Sequence, residues 1–464
     1  MICSQPRNRR LLVISFHFPP DGSVGGNRWA GLSKYLARLG WEVHVVTASS
    51  GADFQMADGV HRHFRAPRTT LEDWYRARMH ARRARGGTRA FSEGDKSEGT
   101  APSHAGRWAE MFWWLRRLGA SAIGLPDHGR GWVLRAALCA RRLLREKEFD
   151  CVVSSGPPHS AHVAAWLATA GSGVPFWIDM RDPWALTHKA HATNDPFIKY
   201  ERRFLASVEG FVFEHAGRVL VNTRESREAL LKSRPYLQPL YLPNGVDRES
   251  LPLRTPQGIE RGWMAHVGTL YRGRSFSPVF AAMRLLTEKG YAGATDLGIH
   301  IAGPLESPHG EIMQGEIEEF GLDAQVKVHG VLSRRSALEL LSRAQMALVL
   351  AQNQPLCVPA KLYESVALGT PTLVIAEPDS AAAREARRVG AMTVDAGDVT
   401  GISALLIDML AGKFSDVIEP KAAISYEALA RDLDTMLTEQ LWGLQSHPGV
   451  ARESLPIRHE ANLA

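Results

Sequence analysis

Four cysteines in 464 residues, Cys3, Cys139, Cys151 and Cys357, stand apart from one another with no C-x-x-C and no histidine at metal-ligand spacing. Neither a disulfide framework nor a zinc site is indicated, and a reducing compartment is the simplest reading. Long hydrophobic runs are also missing, since no stretch approaches the roughly 20 apolar residues needed to span a bilayer. The N-terminus imitates a signal peptide, with Arg7 to Arg10 ahead of Leu11 to Phe16, but the apolar run stops at Pro19-Pro20 without a small-residue cleavage site. The sequence therefore predicts a protein inside the cell. A G-x-G-x-x-G fingerprint is absent and the second strand ends at Thr47 rather than at an acid, which removes most of the case for a dinucleotide cofactor. The D-x-D at Asp432-Leu-Asp434 falls inside a terminal helix and reads as a solvated face, so no metal site is expected. No nucleic-acid motif accompanies the modest net charge of +6, and no nucleic-acid partner is expected.

What is present is an ordinary globular composition, 45% hydrophobic and 22% charged, in a chain long enough for two or three domains of roughly 150 residues each. Leu11 to Phe16 reads as a buried strand, Trp29 to Arg38 as a helix closed by Gly40, and Trp41 to Thr47 as a second strand, which makes a parallel βαβ unit. Further strands are read at Cys151 to Ser154, Pro175 to Asp179 and Arg218 to Asn222. The pattern restarts at Gly262 to Gly268, Gly298 to Gly303, Val326 to His329, Met346 to Leu350 and Thr372 to Ile375. Two doubly wound halves account for this. Pro243-Asn-Gly-Val-Asp247 reads as the turn between them, because Asn-Gly tolerates positive φ. The expected division is an N-terminal domain over 1–245, with 76–107 as a mobile, Arg-, Gly- and Ser-rich loop, a C-terminal domain over 246–418, and a segment 419–464 whose helix, Tyr426 to Trp442, returns toward the first domain.

Chemistry concentrates at strand ends. In Val358-Pro-Ala-Lys361-Leu-Tyr-Glu364-Ser-Val-Ala-Leu-Gly369-Thr-Pro371, Lys361 and Glu364 are three apart and share a helix face. That face lies beyond the strand Met346 to Leu350, in the crevice where open α/β sheets bind ligands. A lysine there can neutralise a phosphate and a carboxylate can accept both hydroxyls of a ribose, so the pair suggests a nucleotide-diphosphate pocket; an ordinary surface Lys/Glu pair is the plain alternative. Phe18-Pro-Pro-Asp-Gly-Ser-Val-Gly25-Gly26-Asn-Arg28 forms a loop opening onto a helix N-terminus, where backbone amides can approach an anion or a sugar hydroxyl.

At these residues the chain resembles the retaining glycosyltransferases of the GT-B fold, specifically glycosyltransferase family 4. Glu364 and Gly369-Thr-Pro371 match the second half of that family's E-x7-E pattern and its following turn, while the first glutamate is replaced by Leu356. This departure resembles the branch with P-x-K-L-x-E instead. The F-P-P loop, Ser154-Ser-Gly-Pro-Pro-His159-Ser, Asp179-Met-Arg181-Asp182-Pro-Trp184 and Pro243-Asn-Gly-Val-Asp247 extend the resemblance from Leu11 to Leu441. It implies two Rossmann-like domains facing across a cleft, a nucleotide-sugar donor, no separate cofactor, and retention of configuration. It also implies roles: Gly25, Gly26, Gly268, Arg272, Arg274, Gly303, Leu332, Lys361, Leu362 and Glu364 in donor binding, with Arg274 ahead of Arg272 as the clamp on the pyrophosphate, whose developing charge an arginine fork suits. Asp182 and His159 would orient the acceptor hydroxyl or support charge at the anomeric carbon; a salt bridge to Arg181 and a cap on Ser160 are their plain alternatives.

The expected acceptor is a cell-envelope glycan or its lipid-linked precursor. Two other readings stay open: a nucleotide-sugar epimerase of the same fold, and a sugar-binding protein with a decayed site, for which Leu356 argues. Arg62 to Lys147 carries more than twice as many basic as acidic residues. Within it Trp108, Met111, Phe112, Leu115 and Leu118 recur at helical spacing, so a helix on an anionic membrane surface and a helix packed on its own core are both admitted. The expected location is cytoplasmic, with the inner face of the cell membrane as the peripheral option.

Overall fold

The computed structural model of the protein describes residues 9–20, 24–48, 58–66, 127, 129–184, 196–270, 273–305, 309–414 and 425–443. The segment 76–107, the stretch Trp108 to Leu118 and Arg272 lie outside the described residues.

Two parallel sheets organise the chain. The first joins β1 (Arg9–Ser15), β2 (Trp41–Thr47), β3 (Val60–Arg65), β4 (Cys151–Gly156), β5 (Phe176–Met180), β6 (Arg218–Val221) and β7 (Leu240–Tyr241) in the order β3-β2-β1-β4-β5-β6-β7. The second joins β8 (Glu260–Val267), β9 (Gly298–Ala302), β10 (Val326–Gly330), β11 (Ala344–Leu350), β12 (Thr372–Ile375) and β13 (Met392–Val394) in the order β10-β9-β8-β11-β12-β13. Each sheet reverses its winding once, between β1 and β4 and between β8 and β11, and each reversal opens a crevice at the strands' carboxyl ends.

The strand sequences explain the layering. Leu11, Leu12, Val13 and Ile14 are all fully buried, because helices cover both faces of a parallel sheet. Alternation divides them: Leu12 and Ile14 join the core on one face, Leu11 and Val13 the core on the other. The second domain repeats the plan around Met346 and Leu348 and around Val349 and Ala351. Three strands had no sequence signal. β3 and β13 are edge strands without a continuous apolar run, and β7 is two residues long.

Twelve α-helices are described, and four of them matter to the site: α1 (Val24–Arg38), α5 (Arg224–Ser233), α9 (Ala360–Ala367) and α12 (Tyr426–Trp442). The first departs from expectation, since it begins at Val24 rather than Trp29 and takes Gly25 and Gly26 into its first turn. Glycine is tolerable there because first-turn amides have no intrahelical partner to lose, and Gly26 is needed for space: a Cβ would sit 2.8 Å from the Phe18 Cα. Helix α12 lays Leu429, Ala430, Leu433 and Leu437 against Trp29, Leu32 and Leu36 of the first domain. Asp434 is accordingly no solvated-face residue; its Oδ1 accepts from Arg9 Nη1 and Trp41 Nε1, both at 2.8 Å.

The connection between the sheets also differs from expectation. Neither Asn244 nor Gly245 adopts positive φ. The segment is held from outside by Arg28, which donates to the carbonyls of Leu242 at 2.7 Å and Pro243 at 2.6 Å. Asp247 then accepts from Lys34 at 3.0 Å and Tyr35 at 2.8 Å.

Candidate functional site

A cavity of about 380 Å³ lies where the two crevices face each other, a volume in the range of small-molecule sites. The first domain lines it with His17 after β1, Gly25, Asn27 and Arg28 of α1, Pro157 and Pro158 after β4, and Arg181 and Asp182 after β5. The second contributes Gly268 and Thr269 after β8, Arg274, Gln354 and Cys357 to Pro359 after β11, and Ala360, Lys361 and Glu364 of α9.

On α9 the helical period separates two jobs. Leu362 and Tyr363 are buried among Val349, Val358 and Val374, whereas Lys361 and Glu364 face the cavity. Glu364 accepts from Lys361 Nζ at 2.9 Å and from Arg334 Nη1 at 2.6 Å. Burial raises its pKa, but the two cations outweigh that and the carboxyl stays below its ordinary value. It is thus a fixed anion in a cationic frame, able to accept hydroxyl hydrogens without protonating.

The stretch that lacks the first glutamate is a strap between the domains. The Leu356 carbonyl accepts from Thr223 Oγ1 at 2.8 Å and Ser226 Oγ at 3.2 Å, at the start of α5. Next to it, Gln354 Oε1 accepts from Arg274 Nη2 at 3.0 Å and so orients that guanidinium. Desolvation raises the Asp182 carboxyl above its usual pKa against the opposing pull of Arg181, Arg274 and a hydrogen bond from the Cys357 thiol. Arg181 does not form the simple salt bridge anticipated for it. It donates to the carbonyls of Gly25 at 2.6 Å, Gly156 at 3.2 Å and Pro157, pinning α1 to the ends of β4 and β5.

The expected site residues therefore divide. Gly25, Gly268, Arg274, Lys361, Glu364 and Asp182 come together at the cavity. Gly26, Gly303, Leu332, Leu362 and His159 do not line it. Gly303 has φ of 137°, and a side chain there would collide with the Gly268 carbonyl, so its smallness shapes the wall from behind. Leu332 packs against the apolar cluster of Leu338 and Leu341. His159 is buried with its ring stacked on Trp184 at 4.9 Å, and its side chain makes no cap on the following helix.

Sequence reasoning missed His17, Arg28, Gln354 and Arg334, and also Tyr426, which reaches the cavity from the first turn of α12. His17 and Arg28 carried a local signal, the one preceding the Phe18-Pro-Pro loop and the other closing it; the others are brought in by tertiary packing.

Among the described residues, Glu42, His44 and His61 are the one group with atoms close enough to share a metal ion. It lies outside the cavity, and Arg10 and Lys147 already donate to Glu42 at 2.9 and 3.2 Å. No described helix is long and apolar enough to cross a membrane.

Residues 25–245 match the family model described as a glycosyl transferase 4-like domain. No curated protein sequence matches significantly. Among solved structures, sucrose-phosphate synthase from Thermosynechococcus elongatus is similar at 14% identity and TM-score 0.66, covering 94% of this chain and 99% of that one. Anabaena HepE in complex with UDP-glucose is similar at 13% identity and TM-score 0.58, covering 94% and 100%. WaaG, a glycosyltransferase involved in lipopolysaccharide biosynthesis, is similar at 13% identity and TM-score 0.55, covering 93% and 97%. The protein has the GT-B fold of these enzymes, and the first of its two α/β domains carries the match to a glycosyl transferase 4-like domain.

Proposed function

We propose that the protein is a retaining glycosyltransferase that moves a sugar from a nucleotide-sugar donor to a glycan or lipid-linked acceptor of the cell envelope, without a metal ion or separate cofactor. The observation that carries this reading is the meeting of Arg274, Lys361 and Glu364 from one domain with Asp182 and the first turn of α1 from the other, around one cavity.

Each group has a job that its chemistry suits. Glu364 accepts the ribose hydroxyls. Arg274, oriented by Gln354, and Lys361 stabilise the negative charge that grows on the diphosphate as it leaves, and the amide end of α1 adds to them. The acceptor hydroxyl attacks the anomeric carbon on the face from which the diphosphate departs. Its oxygen forms the new glycosidic bond, the carbon-to-phosphate-oxygen bond breaks, and a phosphate oxygen takes the hydroxyl proton. Asp182 orients that hydroxyl.

The relatives make two choices reasonable. HepE was solved with UDP-glucose, so uridine carriers come first in a screen, and WaaG's part in lipopolysaccharide biosynthesis favours an envelope acceptor. An epimerase would need a carboxylate free for proton abstraction, whereas Glu364 is committed to two cations. The test is a thermal-shift screen against UDP, GDP and ADP and their glucose conjugates, followed by sugar transfer to envelope lipid extracts. A ligand bound only by the folded state raises the melting temperature; if none of the six does so, the reading is wrong.

A further inference from the structure

His266, near the end of β8, has no assigned role in this scheme, and its surroundings define one. The side chain is 3% exposed. Its Nδ1 lies 2.9 Å from the Leu348 carbonyl, and because a carbonyl can only accept, Nδ1 must carry the proton. The edge of the Phe276 ring arrangement, at 5.1 Å and 90°, fixes the imidazole further. Nε2 is thereby left as a bare lone pair, buried and with no hydrogen-bond partner among the described residues. Buried acceptors in folded proteins are nearly always paired.

The direction of that lone pair is informative. A Cβ built on Gly268 would stand 3.3 Å from Nε2, and Gly268 is part of the cavity wall. Nε2 thus lies just behind the cavity wall, without exposed surface of its own, and a ligand group reaches it by entering the space that a side chain at 268 would fill. Burial, with Arg274 and Lys361 nearby, lowers the imidazole's pKa to about 4, so it is neutral at physiological pH. A neutral acceptor repels an ionised phosphate oxygen and needs a partner that brings its own hydrogen. Of the parts of a nucleotide sugar, the ribose hydroxyls and the base N–H groups also bring a hydrogen, but Glu364 serves the ribose and the base lies beyond it, whereas the hydroxyls of the transferred sugar lie beside the Arg274 phosphate clamp.

We propose that His266 is a specificity-determining residue, its Nε2 accepting a hydrogen bond from a hydroxyl of the sugar on the donor, through the gap left by Gly268. This rests on the glycosyl-transfer reading. The test compares wild type, His266→Phe and Gly268→Ala by calorimetric titration with UDP, GDP and ADP and then with the nucleotide sugars that raise the melting temperature most. His266→Phe keeps the ring shape and removes the acceptor; Gly268→Ala leaves the bond to Leu348 intact and covers Nε2 with a methyl group. Both should weaken the nucleotide sugar roughly 3- to 10-fold more than they weaken the diphosphate, the worth of one neutral hydrogen bond. Equal losses for sugar and diphosphate would move the contact to the ribose or phosphates and overturn the inference. Unchanged affinity for both would make His266 structural or water-bound and overturn it as well. If His266→Phe fails to fold, Gly268→Ala decides alone. Binding of no nucleotide by wild type would instead defeat the glycosyl-transfer reading, a result distinct from either.

Discussion

The two domains share a strand order and use their charge in opposite ways. At the carboxyl ends of β4 and β5, the first domain directs its cations inward. Arg28 forms a fully buried pair with Asp179, with contacts between 3.1 and 3.2 Å, and Asp179 also accepts from Trp29 at 2.7 Å and Ser155 at 3.0 Å. Arg181 is spent on three carbonyls. The second domain buries one cation, Arg254, on the carbonyls of Ser342 and Ala344 at the other end of β11, and presents Arg274, Lys361 and Glu364 to the cavity. A common topology thus supplies the crevice, and the placement of charge decides whether a strand end serves the fold or a ligand.

The largest effect should come from breaking the inward side. Asp179→Ala leaves the Arg28 guanidinium buried without its carboxylate, which costs about 3–5 kcal/mol, and denaturant unfolding should report it. A loss below about 1 kcal/mol, the scale of an exposed ion pair, would show that Asp179 is no latch. On the outward side, Arg274→Met should lower kcat on the order of 10²-fold or more while the protein stays folded, because one donor to the developing charge is gone. Arg274→Lys should keep part of the rate, and EDTA should change nothing. An enzyme silenced by EDTA and restored by Mg²⁺ would place the leaving-group charge on a metal instead.

A smaller effect is expected at Glu364. Glu364→Gln keeps the shape but weakens charge-assisted bonds to ribose, so the dissociation constant for the nucleotide diphosphate should rise roughly 10- to 100-fold, with stability nearly unchanged because Lys361 and Arg334 remain partly solvated. Equal binding by both proteins would mean the ribose sits elsewhere.

The smallest concerns acid. Desolvation raises the Glu42 pKa, but hydrogen bonds from Arg10, His44 and Lys147 prevail and hold it at about 2. A carboxyl depressed in the folded state contributes stability above its ordinary value of 4.5, and that contribution is lost as the pH falls toward about 2. Glu42→Gln should flatten this part of the stability profile between pH 5 and 3 without altering nucleotide affinity. A change in affinity would break the division between the two halves.

The residues legible from sequence are those whose role follows from local spacing. Lys361 and Glu364 were readable because a helix puts positions three apart on one face, and most of the ten strands found because buried parallel strands are near-continuous apolar runs, a signal the half-exposed β3 lacks despite its six residues. The same local reading failed where one helical turn has two sides, counting Leu362 with its neighbours although its side chain fills the core. Gly26 and Gly303, counted among the donor-binding residues, stand off the cavity as well, and each glycine makes room for neighbouring backbone. Asp434 looked solvated because its partners, Arg9 and Trp41, lie about 400 positions away in the chain.

By itself the sequence determined the alternation of strands and helices, the two doubly wound halves and the charged face of α9, because these depend on hydrophobic period within short windows, while the GT-B arrangement was what the family resemblance implied. Only the tertiary structure decided which glycines meet the cavity, that Arg28 holds the interdomain connection, that Gln354 orients Arg274, and that Tyr426 enters the site from the terminal helix. Those outcomes depend on distances between residues far apart in the chain, which are fixed only when both sheets are packed and their crevices face each other.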